Sequence, residues 1–501
     1  MPNNELGDFQ TPSALALRCL TVLGVPAHAR VLEPTCGRGA FLEAAATLSP
    51  DTERIGIELQ PAYAAEARRW ADVRVANIFT TDLRRDLTWR SDGPLYVVGN
   101  PPWVTSADLR RMESSNLPVK ENLKGARGLD AMLGSSNFDV AEYIIARALE
   151  AHRDQPVVLG MLCKTQVARN VLGHAAAQGW PVAEAHLYRI DARTWFDAGV
   201  DACWFTVRLD AGRPTDHTCL IHDDLFATTP DVEGRRFGVV DGLVVSDVAR
   251  YTAVREADGR SPYEWRSGLK HDAARVFELA ALPEPATQAG VPVDLESEYV
   301  LPLLKSTDLF RGRHRELGRW VIVPQRTFGA ETTTLARTAP RLWRYLNEHA
   351  AVLDARRSSI YRNRPRFSVF GHGEYTYAPY KVAVSGLHKE PRFRLLGPLR
   401  DQPVVLDDTC YFAPFSDPTE AAVATAVLTS RPCLDLIDSL VFWDSKRPVT
   451  KKVLARLDLN RLPLDPASVV TQAGAYAAEA GLTFDADAAR GMVGALGRRH
   501  D

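Results

Sequence analysis

The run Tyr96-Val97-Val98-Gly99-Asn100-Pro101-Pro102-Trp103 decides how the rest of this chain is read. Leu95 to Val98 is an apolar stretch the length of a buried parallel strand, and Gly99 ends it. The next four residues then occupy the loop at that strand's carboxyl end, where open α/β sheets hold their ligands. Asn100 supplies a side-chain carbonyl acceptor, and the Pro101 backbone carbonyl supplies a second. Pro101 and Pro102 fix φ, so both acceptors and the ring of Trp103 have little freedom to drift. Two fixed acceptors beside a flat ring suit a planar group bearing an exocyclic NH2, its hydrogens on the acceptors and its face on the indole. An Asn-Pro turn between strand and helix is common. Asn-Pro-Pro-aromatic directly after a buried strand is much less so, and it favours a chemical role.

Upstream, Ala29-Arg30-Val31-Leu32-Glu33-Pro34-Thr35-Cys36-Gly37-Arg38-Gly39-Ala40-Phe41-Leu42 reads as a strand, a glycine turn and the start of a helix over 41–48. Gly37 and Gly39 let the backbone pass close beneath a ligand, and the helix amino terminus favours a negative group. A second strand, Arg54 to Leu59, brings the acid Glu58 to its end, the position from which a βαβ unit holds ribose hydroxyls. A third unit ends in Asn77-Ile78-Phe79, which offers an amide and a ring. At the start, Phe9-Gln10-Thr11-Pro12 precedes a helical pattern, with Thr11 as the expected N-cap and Pro12 as the first helical residue.

The 501 residues exceed one ordinary domain, and 46% hydrophobic against 24% charged residues is a globular balance. No apolar run approaches the roughly 18 residues of a membrane span, and Met1–Gln10 carries no signal-peptide pattern. Seven scattered cysteines with no Cys-x-x-Cys spacing point to a reducing cytoplasm and away from a zinc site, and no metal is expected. The net charge of −2 conceals a segregation: residues 301–400 hold 19 Lys and Arg against 7 Asp and Glu, a local +12 that leaves −14 for the rest. Such a separation is what a polyanion-binding domain joined to a neutral or acidic enzyme displays.

Together these residues carry a resemblance. Residues 9–103 resemble the S-adenosylmethionine-dependent amino-methyltransferases of bacterial restriction–modification systems, and in particular the Taq-type DNA adenine methyltransferases. The resemblance implies a Rossmann-like α/β fold with a seven-stranded methyltransferase sheet, followed by a mixed α+β target-recognition domain. In that family a Thr-Pro motif caps the methionine end of the cofactor, which Thr11-Pro12 matches. The cofactor loop matches Glu33-Pro34-Thr35-Cys36-Gly37-Arg38-Gly39 leading to Phe41, and the ribose acid matches Glu58, followed by Leu59. The adenine-binding Asp-Phe pair falls on Asn77 and Phe79, where Asn departs from the usual Asp. The catalytic tetrapeptide falls on Asn100, Pro101, Pro102 and Trp103, with Asn100 also at the cofactor and Trp in place of the more usual Tyr or Phe. The strand Ala202–Leu209 follows Trp195-Phe196, where the family places an aromatic on the flipped base; Phe196 is the choice and Trp195 the runner-up.

The long polar stretch Arg110–Leu133 reads as a mobile loop that orders over DNA, and Ser136-Asn137-Phe138-Asp139 leads into a helix over 140–151. After residue 212 the parallel-sheet rhythm fades, and the expected division is a catalytic domain over 1–230 and a target-recognition domain over 231–501 with a helical tail. In the second half, Arg356, Arg357, Arg362, Arg364, Arg366 and Lys381 interleave with Tyr361, Phe367 and Tyr380, the mixture of a surface that holds phosphates and base edges. Lys270, Lys446 and Arg447, in stretches that resemble the family's target-recognition domain, are expected to join them. An aromatic, hairpin-like stretch is expected over Phe367–Thr376.

The expected activity is methyl transfer from S-adenosylmethionine to N6 of an adenine flipped out of double-stranded DNA. Alternatives are another planar amino group (cytosine N4, an RNA base or a protein glutamine) and a catalytically silent DNA-specificity protein. The expected partners are double-stranded DNA and a cognate restriction endonuclease or defence-system proteins, with a monomer acting away from any membrane. The short stretch before Thr11 leaves no room for a fused nuclease, and Asp51…Glu58-Leu59-Gln60 has Gln60 where a nuclease motif wants Lys.

Overall fold

The computed structural model describes residues 9–105, 139–227, 234–281, 285–327 and 329–497. The stretch Arg110–Leu133 and the residues Ser136, Asn137 and Phe138 lie outside the described residues. Two compact units divide the chain, Met1–Ala249 and Arg250–Asp501.

In the first unit the strands are β1 (Arg30–Glu33), β2 (Glu53–Glu58), β3 (Asp72–Val75), β4 (Leu95–Gly99), β5 (Val157–Lys164), β6 (Val182–Ile190), β7 (Ala202–Leu209), β8 (Thr218–His222), β9 (Arg236–Val240) and β10 (Leu243–Val245). They form one sheet in the order β10-β9-β8-β6-β7-β5-β4-β1-β2-β3. Strands β1 to β5 pair in parallel, and β7 runs antiparallel between β5 and β6. This is the expected Rossmann-like methyltransferase sheet. All five residues of β4 are buried, as a central strand covered on both faces requires. Because β1 leads onward to β2 while β4 lies on its other side, the strand order reverses between β1 and β4, and a crevice opens at their carboxyl ends.

Helices fill the faces: α1 (Ser13–Leu23), α2 (Ala40–Leu48), α3 (Pro61–Ala67), α4 (Val140–Ala151), α5 (Thr165–Ala177) and the short α6 (Ala192–Phe196). Leu15, Cys19 and Leu20 of α1 pack with Phe41 of α2 and with Val31, Tyr96 and Val98 of the sheet in one core.

The sheet exceeds seven strands because β8 adds parallel to β6, and β9 and β10 follow antiparallel. This also moves the division past the expected residue 230, since β9 and β10 hydrogen-bond into the catalytic sheet. The β9–β10 turn is Asp241-Gly242, with φ of 50° and 78°. Both values are left-handed, as a two-residue hairpin turn demands.

The second unit is mixed α+β. Strands β11 (Arg266–Ser267), β12 (Glu278–Ala281), β13 (Pro285–Ala286), β14 (Val300–Leu304), β15 (Arg319–Ile322), β16 (Tyr380–Ser385), β17 (Arg394–Leu396), β18 (Val405–Leu406) and β19 (Cys410–Phe415) make a sheet β11-β19-β16-β17 and a sheet β13-β12-β15-β14-β18. The expected helical tail is present as Pro466–Ala480 and Ala486–Gly497. The expected hairpin over Phe367–Thr376 is not formed: Glu374–Tyr377 is a 3-10 turn, and Phe370 forms an isolated bridge with Lys270. Among the described residues no helix is long and apolar enough to cross a membrane, and no group of three or more His, Cys, Asp or Glu is arranged to hold a metal ion.

Candidate active site

The crevice at the carboxyl ends of β1, β2 and β4 is a cleft lined by residues from each motif in turn. Thr11 enters from the amino-terminal segment; Glu33, Pro34, Cys36 and Gly37 from the turn after β1; Glu58 and Leu59 from the end of β2; Asn77 and Phe79 from the loop after β3; and Asn100 and Pro102 from the loop after β4. Residues more than 60 positions apart in sequence therefore meet in one pocket, which parallel strands make unavoidable by aligning their ends.

Three buried polar atoms of the wall have no hydrogen-bond partner among the described residues: Glu33 Oε2, Thr35 Oγ1 and Asn100 Oδ1. Buried polar atoms are ordinarily paired, so three orphans around one cleft mark places where a ligand's donors belong. Thr35 lies within the matched cofactor loop, but nothing in the sequence assigns its hydroxyl a role of its own. The Asn100 carboxamide is fixed: its Nδ2 donates to the Phe9 carbonyl at 3.2 Å, which holds it with Oδ1 unpaired.

Glu33 is 3% exposed, and burial raises its carboxyl well above the ordinary range; the Leu42 N–H opposes that rise and Glu58 adds to it. Glu58 accepts from the Gly37 N–H at 2.8 Å and the Gln60 N–H at 2.7 Å, one on each oxygen, which fixes its carboxyl group in the cleft. Burial, reinforced by Glu33 and Glu58, pushes the Cys36 thiol up, so it is neutral and no nucleophile. Two acidic side chains in one cleft suit a ligand with cationic character.

Thr11 does not cap α1. The helix starts at Ser13 with Pro12 at the N-cap position and no side-chain cap bond, so Thr11 lines the cleft instead. Gly37 (φ 51°) and Gly39 (φ 86°) are left-handed. A Cβ on Gly39 would come within 2.9 Å of Ala67 in α3, so that glycine serves helix packing and does not line the cleft. Phe41, expected at the cofactor, is fully buried and stacks on Trp204 at 5.5 Å and 11°; it is a core residue. Asn77 Oδ1 accepts from the Phe79 N–H at 3.0 Å, shaping its own loop while the residue lines the cleft.

Trp103 is 6% exposed, its indole N–H donates to the Leu162 carbonyl at 3.2 Å, and its ring meets Phe196 at 5.1 Å and 69°. Phe9 completes a triangle at 5.6 Å from Trp103 and 5.8 Å from Phe196. A base sandwiched between two rings needs them about 7 Å apart, twice a van der Waals separation of ~3.5 Å. The triangle must part before a base enters. Trp195 points elsewhere and stacks on Phe226 at 5.5 Å and 11°. Pro101 and Trp103 are buried beside the cleft without lining it. Phe196→Ala is expected to raise the DNA KM and blunt the fluorescence rise of 2-aminopurine at the target position, whereas Trp195→Ala leaves both unchanged; the reverse pattern would refute this assignment.

In the second unit the basic residues separate into two groups. Arg357, Arg362, Arg364 and Lys446 are exposed. Arg366 is exposed but paired with Asp354 at 2.6 Å, Arg447 contacts Asp408 at 3.4 Å, and Lys270 lies 3.7 Å from Asp272. Arg356 is instead a structural staple. It donates to the carbonyls of Leu353, His271 and Ser368 at 2.9, 3.1 and 2.8 Å and lies over the Tyr361 ring at 3.8 Å. Lys381 is 1% exposed and donates to the Ala378 carbonyl at 2.6 Å, and burial lowers its ammonium to about 7. Neither is free to hold a phosphate. Arg356→Ala should cost about 2 kcal/mol of stability, from carbonyls left unsatisfied, without altering the salt dependence of DNA binding. Arg357→Ala or Arg362→Ala should each reduce the slope of log K against log salt by about 1. Melting curves and salt titrations of binding separate the two effects.

No family model matches the chain. The type II methyltransferase M.NspV of Nostoc sp. is 35% identical over 472 residues, covering 91% of this chain and 97% of that protein. The type II methyltransferase M.XamI of Xanthomonas campestris pv. amaranthicola is 29% identical over 110 residues, 21% of this chain and 20% of that protein. Among solved structures, the Type IIL restriction–modification enzyme MmeI in complex with DNA aligns over 97% of this chain and 71% of that chain, with a TM-score of 0.52 and 11% identity, a likeness of fold.

Proposed function

The chain belongs to the type II methyltransferases of restriction–modification systems, and from that premise we propose that it methylates N6 of an adenine rotated out of double-stranded DNA. DNA methylation is the family's activity, and S-adenosylmethionine is its cofactor. What supports the finer reading is the Asn100 carboxamide, held by the Phe9 carbonyl with Oδ1 buried and unpaired in the cleft that also contains Glu33 and Glu58.

The residues present fit the cofactor. Glu58 at the end of β2 suits ribose hydroxyls, Asn77 and Phe79 the adenine, and Glu33, Thr35 and Thr11 the charged methionine portion. When bound, S-adenosylmethionine supplies an electrophilic methyl on a sulfonium, a leaving group that needs no general acid. The chain's part is positioning. Asn100 Oδ1 and the Pro101 carbonyl accept the two hydrogens of the target amino group, which raises electron density on nitrogen without prior deprotonation. Trp103 and Phe196 hold the base by its faces once Phe9 gives way. Rotation out of the helix is required because a paired adenine has its N6 hydrogens engaged and its faces covered. The exposed arginines of the second unit hold DNA phosphates, the protein acts as a monomer in the cytoplasm, and a cognate restriction endonuclease is its partner.

Incubation with S-adenosylmethionine labelled at the methyl group and host DNA, followed by nucleoside analysis, tests the reading. N6-methyldeoxyadenosine is expected. Label in N4-methyldeoxycytidine, or in RNA or protein alone, would overturn it.

A further inference from the structure

The loop after β3 carries Asn77 and Phe79 into the cleft, yet it contains no regular element and lies at the edge of the sheet. Three of its N–H groups are satisfied from within: Asn77 Oδ1 accepts from Phe79, and the Asn77 carbonyl accepts from Thr80 and Thr81, each at 3.0 Å. Three of its carbonyls accept from one side chain. The half-buried Arg147 of α4 donates through Nη1 to Ile78 O at 2.8 Å and Phe79 O at 2.6 Å, and through Nη2 to Thr81 O at 2.6 Å. Four residues earlier on the same helix, Tyr143 packs its ring on Phe79 at 5.8 Å and 44°. Val140 and Ile144 of that helix line the cleft, whereas Arg147 does not.

We propose that Arg147 is a positioning residue for the adenosine end of the cofactor, clamping three carbonyls of the Asn77–Thr81 loop so that Asn77 and Phe79 are presented in fixed geometry without Arg147 itself touching the ligand. The chemistry favours arginine here. A planar guanidinium offers donors in a rigid fork that reaches three separate acceptors. A lysine ammonium is a point charge on a flexible stem and cannot span the same three carbonyls. Without the clamp, three carbonyls lose a charge-assisted partner and the loop samples other conformations, so ligand binding must bear the cost of ordering it. The proposal rests on the reading that Asn77 and Phe79 hold the adenine.

The test compares S-adenosylmethionine with 5′-deoxy-5′-methylthioadenosine, which lacks the amino-acid portion, by calorimetry on the full chain. Arg147→Ala should weaken both ligands by the same factor, on the order of tenfold to a hundredfold. Arg147→Lys should recover part of the loss and serves as the readout if the alanine variant does not fold. At saturating cofactor kcat should stay within a few-fold of wild type, and the DNA KM should not move. A merely structural weakening would shift kcat and DNA binding as well. Equal binding of both ligands by wild type and variants, or a loss confined to S-adenosylmethionine, overturns the role of Arg147 alone. Failure of methylthioadenosine to bind the wild type overturns the adenosine reading of this loop, and the proposal with it.

Discussion

Asn100→Ala is expected to bind DNA and cofactor within a few-fold of wild type and to lose on the order of 10²- to 10³-fold in kcat. The magnitude follows from removing one preorganised partner of a reacting group inside a closed site. That costs roughly 3–4 kcal/mol of transition-state stabilisation. Two features make this residue a sharp probe. Its Oδ1 has no partner among the described residues, so truncation disturbs no bond among them on the cleft side. Its Nδ2 donates to Phe9 O at 3.2 Å, a contact that fixes which end of the amide faces the substrate. Asn100→Asp therefore does not rescue. The second carboxylate oxygen would confront the Phe9 carbonyl, two acceptors with no proton between them, and the side chain would turn or protonate. Single-turnover methylation with prebound cofactor and DNA measures the effect on the chemical step. Near-wild-type rates for Asn100→Ala would sink the mechanism, because the Pro101 carbonyl alone cannot accept both hydrogens of the target amino group in the proposed geometry.

How far these features were legible differs by level. The strands around the cleft were readable because each carries a short apolar core, unbroken in β4, with Glu33, Glu58 or Asn100 at or just past its carboxyl end, so those three residues could be placed without knowing any contact. Side-chain direction was less so. Phe41 lies within a matched motif, yet it falls on the face of α2 that packs on Trp204. Thr11 looked like a cap because Thr-Pro is a common helix start, but the chain enters α1 with Pro12 at the N-cap position. Lys381 and Arg356 were grouped with the surface cations because charge is ordinarily solvated, and only tertiary packing puts a lysine in the interior of β16 or bends an arginine back onto three carbonyls. The hairpin of β9 and β10 was available in principle, since Val239-Val240-Asp241-Gly242-Leu243-Val244 is a turn signal between β-formers. The fading parallel rhythm placed the boundary ahead of it. Arg147 gave no local sign, because its acceptors lie 66 to 69 residues away.

Glu33 supplies a second large effect, and its sign follows from burial. In the free protein the carboxyl is almost wholly desolvated and stays protonated to well above the ordinary value of 4.5; the Leu42 N–H works against this and the neighbouring Glu58 works with it. An unfolded chain ionises at the ordinary value, so the stability of the free protein falls as pH rises between that value and the higher folded one. The cofactor reverses the preference. It carries an ammonium and a sulfonium, and a cation beside Glu33 favours the carboxylate. Binding below the raised value must then expel a proton, so affinity climbs with pH by up to about tenfold per unit and levels off once the free carboxyl has ionised. Calorimetry in buffers of differing ionisation enthalpy counts that proton directly. Glu33→Gln retains the shape and cannot ionise, so it should lose both the pH dependence and on the order of a hundredfold or more in affinity, the usual consequence of removing one partner of a buried charge pair. The thermal stabilisation conferred by the cofactor should likewise grow with pH in the wild type and stay flat in the variant. If the two proteins bind S-adenosylmethionine alike from pH 5 to 9, the orphaned Glu33 oxygen faces something other than the cofactor's positive charge, and the cleft accepts its ligand in the opposite orientation.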